Sequence, residues 1–84
     1  MTHALKTWPE YFKAIEDGSK TFEVRKFDRQ FKVGDILLLQ EWDNLTGQYT
    51  GNETAKVITY ILAGDINKFG LFGDYCVMSI AEHY

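Results

Sequence analysis

The chain has little of what usually staples a small protein. It carries one cysteine, one proline and two histidines in 84 residues. A lone Cys76 forms no intramolecular disulfide, and one thiol with His3 and His83 cannot complete a four-ligand zinc site, so no metal and no cofactor is expected. No apolar run approaches the 18 or more residues of a membrane span, and the opening MTHALKTWPE lacks the apolar stretch of a signal peptide. These features predict a cytoplasmic protein in a reducing compartment with no membrane partner. Disorder is excluded as well, because 45% of the residues are apolar and only 25% charged.

Aromatic residues are abundant: two Trp, five Tyr and six Phe. Each buries about 150–250 Å² when packed, which lets one short chain build a core unaided. A single domain over residues 1–84 is expected, since the chain lies far below the size at which cores divide. The net charge of −3 argues against a generic polyanion binder, whose affinity would come from many lysine and arginine contacts. Charge is nevertheless uneven. Residues 1–32 hold seven basic and five acidic side chains, whereas residues 33–84 hold two basic and seven acidic ones. Such polarity suits a small or local anion on one side of the molecule.

Thr7-Trp8-Pro9-Glu10 fits a capping box and predicts a helix from Trp8 to Asp17, with Gly18 as a left-handed stop. Trp8, Tyr11, Phe12 and Ile15 recur at helical spacing and predict one buried stripe. A short strand around Leu5 precedes the helix. From Thr21 to Arg25 the pattern alternates, predicting Phe22 and Val24 toward the core and Thr21, Glu23 and Arg25 on the opposite face. Gly34-Asp35 leads into Ile36-Leu37-Leu38-Leu39, continuing through Trp42, as the expected central strand. Residues 43–52 read as a hairpin connection, 53–62 as a strand, and Tyr75 to Ala81 as the last strand. The expected fold is α+β: a small β-barrel of five to six mostly antiparallel strands with one or two flanking helices.

The polar segment from Gly18 to Arg25 is the candidate site. Alternate side chains on one face of a strand lie about 6.6–7 Å apart, the span of a base or small polar ligand. Arg25 offers a planar fork to phosphate, carboxylate or a base edge. The plainer alternative is that Glu23 pairs with Arg25 or Lys6 on a wet surface. Trp8 and Trp42 suit either stacking on a base or the core, and the core is the more ordinary place. Phe69 and Phe72, set among glycines, suit a lid or a plug at one end of the barrel. Cys76 on a β pattern reads as buried and inert.

His3-x-Leu5-Lys6-Thr7-Trp8-Pro9-Glu10-Tyr11-Phe12, Gly18-x-Lys20-Thr21-Phe22-Glu23-Val24-Arg25-Lys26, Asp28-Arg29 and Val33-Gly34-Asp35 together resemble small bacterial and phage ASCH-like proteins. The resemblance runs through nearly the whole chain. It implies a PUA-like β-barrel with a cleft, in a group associated with RNA binding. Lys20 and Thr21 match the catalytic lysine and threonine of ASCH amidohydrolases that remove acetyl from N4-acetylcytidine. In that chemistry a lysine activates the threonine and a carboxyl group protonates the leaving amine. The downstream glutamate of those enzymes has no counterpart, because residues 63–81 contain only Asp65 and Asp74 as acids. Glu23, Glu41 and Glu53 are the candidate substitutes.

The resemblance also implies that His3 and Lys6 line the cleft mouth beside Lys20. Three functions follow as expectations: an RNA- or modified-nucleoside-binding domain using His3, Lys6, Lys20, Thr21 and Arg25; an amidohydrolase using Lys20, Thr21 and Glu23; or a protein-interaction factor without nucleoside binding.

Overall fold

Ile36-Leu37-Leu38-Leu39 has a strand's propensity and too few residues for a buried helix. In the computed structural model, which describes residues 1–83, it opens β3 (Ile36–Asp43). The other strands are β1 (Thr2–Thr7), β2 (Phe22–Lys26), β4 (Gln48–Ala63) and β5 (Tyr75–Glu82). Two short helices, α1 (Pro9–Glu16) and α2 (Ile66–Phe69), follow β1 and β4 respectively. The sheet runs β1-β3-β4-β5-β2. Among the described residues only β1 and β3 pair in parallel, and the other three pairings are antiparallel. The fold is α+β, a mixed five-stranded sheet strongly curled into a half-barrel.

The central strand is β4, not β3. Strand β4 is 16 residues long and starts at Gln48, so the hairpin loop is shorter than the expected 43–52 connection. Its first part pairs with β3 and its last part with β5, with register shifts at Gln40/Trp42 and at Ile58/Tyr60. Such irregularities bend a strand and increase its twist, which lets one long strand serve both walls of a curled sheet. Leu5, Ile15, Phe31, Leu37, Leu39, Ile58, Cys76, Met78 and Ile80 fill the interior. Each fully buried aliphatic side chain contributes roughly 1.5–3 kcal/mol. Cys76 lies in this wall, and burial pushes its thiol above the ordinary range.

Helix α1 joins strands at opposite edges of the sheet, so it spans the open side of the half-barrel. Phe12 and Ile15 face inward as its apolar spacing requires, and Gly18 supplies the left-handed residue after the helix with φ 84°. The expected capping box does not form. Trp8 is the N-cap and makes no side-chain capping bond. Thr7 still belongs to β1, whose alternation sends its side chain into the interior, away from the helix amides. Trp8 and Tyr11 also leave the expected buried stripe, each being 46% exposed. No helix among the described residues is long and apolar enough to cross a membrane.

Candidate ligand-binding site

Alternation in β2 is real, but its faces are the reverse of the expected ones. Glu23 is buried, whereas Phe22 and Val24 are 43% and 45% exposed. The register explains this. Glu23 pairs with Met78 and Arg25 with Cys76, both interior residues of β5, so Glu23 and Arg25 point inward with them. The apolar filling of the half-barrel thus gives way, beside its open edge, to charge. Glu23 Oε1 accepts from Lys20 Nζ at 2.8 Å and Glu23 Oε2 accepts from Arg25 Nε at 2.9 Å. Lys20 also donates to the Phe22 carbonyl at 2.9 Å.

Arg25 ties the two edges of the sheet together. Its Nη2 donates to the Lys6 carbonyl of β1 at 2.7 Å, which bridges β2 to β1 where no backbone ladder connects them. Around this bridge opens a cleft of about 530 Å³, lined by β1, α1, the turn after α1 and β2. That volume falls within the range of small-molecule sites. Trp8 and Tyr11 stack on one another at its wall, with ring centroids 6.5 Å apart. Lys20 lies over the Tyr11 and Phe22 rings at 5.7 and 5.0 Å. The Lys6 ammonium rests over Trp42 at 4.7 Å and Tyr49 at 5.9 Å. Thr7 also lines the cleft, and its hydroxyl is buried without a hydrogen-bond partner among the described residues. A buried orphan of this kind is costly to leave unmet.

Residues 2–80 match the domain family of unknown function DUF3850. The chain belongs to this family. It is also 39% identical over 57 residues to the uncharacterized 12.9 kDa protein in the GpA 3′ region of Escherichia phage P2. That stretch covers 68% of the chain, and the chain spans about half the length of this relative.

Of the residues singled out in this DUF3850 chain, Lys6, Lys20, Glu23 and Arg25 line one cleft. Thr21 does not join them. It precedes β2 and lines a second hollow of about 300 Å³ with Ile15, Lys56 and Glu82, while its carbonyl accepts from the Ile80 amide. Lys20 borders both hollows. His3 lies apart from the cleft. It is buried, bonded through Nε2 to Asp35 Oδ2 at 2.8 Å and packed edge-on to Phe31 at 4.8 Å. Position along β1 separates it from the cleft: His3, Leu5 and Thr7 all point inward, and of the three it is Thr7, next to α1, that lines the cleft.

Four cleft residues were expected elsewhere: Phe22 and Val24, which the alternation of β2 set toward the core, and Tyr11 and Thr7. Tyr11 looks like core because it falls on the helical apolar stripe. Thr7 looks like a helix cap. The helix-spanned gap between the edge strands gives both a different role, and only the strand order reveals that gap. No group of three or more His, Cys, Asp or Glu side chains among the described residues is placed to hold a metal ion.

Proposed function

We propose that this chain is a binding domain for a base of single-stranded RNA or for a modified nucleoside, taken into the cleft between β1 and β2. The observation that carries this reading is the combination in one cleft of exposed aromatic faces with fixed cationic donors. Trp8, Tyr11 and Phe22 suit stacking, and Arg25, Lys20 and the Thr7 hydroxyl suit the polar edge of a base. Protein readers of RNA take splayed, unstacked bases in this way. The net charge of −3 fits a reader of one base better than a clamp on a long backbone. The resemblance of the Lys20-Thr21 and Gly34-Asp35 segments to ASCH-like proteins of the PUA-like superfamily supports the same reading.

The amidohydrolase reading draws support from Lys20 alone. Thr21 borders the other hollow, and both Glu23 oxygens already accept hydrogen bonds, so neither the nucleophile nor the acid is presented to a ligand beside Lys20. Calorimetric titration with cytidine, N4-acetylcytidine and a short single-stranded RNA, with acetate followed in parallel, tests the proposal. Saturable binding without acetate, weakened by Arg25→Ala, is expected. Acetate release abolished by Lys20→Ala would replace the binding domain with the hydrolase. Silence toward every ligand would favour a protein partner and overturn the proposal.

A further inference from the structure

The cleft carries more positive charge than its own carboxylate neutralises. Its lining holds Lys6, Lys20 and Arg25 against Glu23 alone, which leaves two cations in surplus. The donors are also incompletely used. Arginine has five N–H groups and lysine three. Arg25 commits one to Glu23 and one to the Lys6 carbonyl, and Lys20 commits one to Glu23 and one to the Phe22 carbonyl. Lys6 has no carboxylate partner among the described residues and is held only against the Trp42 and Tyr49 rings. Three arginine donors and one lysine donor therefore remain inside the cleft, and the Lys6 ammonium stands at its rim, over two rings that lie outside the lining.

These donors come from three separate elements: β1, the turn after α1, and β2. A planar carboxylate presents two oxygens in one plane, whereas a tetrahedral phosphate presents oxygens in several directions and accepts from donors arriving from different sides. Glu23 holds Lys20 and Arg25 in place from the interior, so the fork is positioned before any ligand arrives. The stacked Trp8 and Tyr11 rings border the same space.

Resting on the reading above, we infer that the cleft takes a single nucleotide unit, with one phosphate held by Lys6, Lys20 and Arg25 beside the base, and that it discriminates against the bare nucleoside. The same phosphate chemistry is offered by a free mononucleotide and by one residue of an RNA strand.

Calorimetry at low salt with cytidine, cytidine 5′-monophosphate and a cytidine trinucleotide lacking a terminal phosphate separates the cases. The monophosphate is expected to bind about tenfold more tightly than cytidine, the worth of one charge-assisted hydrogen bond. That preference is expected to shrink in Lys6→Ala, in Arg25→Lys and at high salt. Lys6 is an exposed strand residue, so its variant keeps the test available if the Arg25 variant folds poorly. Trinucleotide binding as tight as the monophosphate identifies an internal phosphodiester as sufficient; weaker trinucleotide binding identifies a terminal monoester. Equal binding of cytidine and its monophosphate overturns this inference and leaves the base-binding reading standing. A phosphate preference untouched in both variants overturns the assignment to these residues. No binding of any probe overturns both.

Discussion

Two carboxylates reach the interior of this small fold, and their surroundings differ in one respect. Asp35 receives the Met1 amine at 3.2 Å, His3 Nε2 at 2.8 Å and the Lys32 amide at 3.2 Å. It borders neither hollow. Its cluster pins β1 to the start of β3. Glu23 receives Lys20 and Arg25, and its cluster opens onto the cleft with donors to spare. A buried charge needs partners simply to be tolerated. Surplus partners beside an open space are what distinguish a site from a brace.

Four experiments would break or sharpen this contrast. Removing the Glu23 carboxylate has the largest expected effect. Glu23→Ala leaves Lys20 and Arg25 facing one another with no counter-charge, and breaking a buried pair costs about 3–5 kcal/mol. Urea unfolding measures it, and a loss below about 1 kcal/mol would mean that the cluster behaves like a solvated surface pair. Next is Trp8→Ala, which should weaken base binding by about 1–3 kcal/mol through lost stacking, by calorimetry. Because Trp8 is nearly half exposed, its thermal midpoint should move little; a large fall would return Trp8 to the core.

Thr7→Val is expected to act in opposite directions on the two properties. Removing an unmet buried hydroxyl should stabilise the fold by about 1 kcal/mol, while ligand affinity falls. Unchanged affinity would exclude the hydroxyl from the site. The finest effect is in the acid limb of the Asp35 cluster. The hydrogen bond from His3, helped by the Met1 amine and the Lys32 amide, holds the Asp35 carboxyl below the ordinary carboxylate range. A lowered carboxylate stabilises the fold above its unfolded value near 3.9, and the contribution fades as pH falls through the folded value. Thermal melts from pH 6 down to pH 2 should therefore show wild type above Asp35→Asn at the upper end, with the gap closing toward the lower end. A gap constant across that range would remove Asp35 from the titration.

Much of the architecture could be read from residues alone, and what escaped has a common cause. The α1 spacing, the Gly18 stop, the apolar run of β3 and the last strand follow from local periodicity and turn chemistry. Periodicity of two states that neighbouring strand residues face opposite ways; it does not state which way is inward. In β2 the apolar pair Phe22 and Val24 suggests one answer, and pairing with Met78 and Cys76 imposes the other. The same limit hides the central position of β4, since strand order depends on partners far along the chain. For the candidate site, Lys6, Lys20, Glu23 and Arg25 were visible as a polar group. The separation of His3 and Thr21 from them depends on where β1 starts and where β2 begins, boundaries that local composition leaves loose.

Every cleft-lining side chain falls between Lys6 and Arg25, although the walls belong to opposite margins of the sheet. One contiguous stretch of twenty residues is thus a transplantable cassette, and the remaining residues serve as its chassis. Exchanging that cassette between related chains would carry the whole lining with it, whereas lengthening the loop at 44–47, set between Trp42 and Tyr49, would reach the site only through the Lys6 ammonium that those two rings hold.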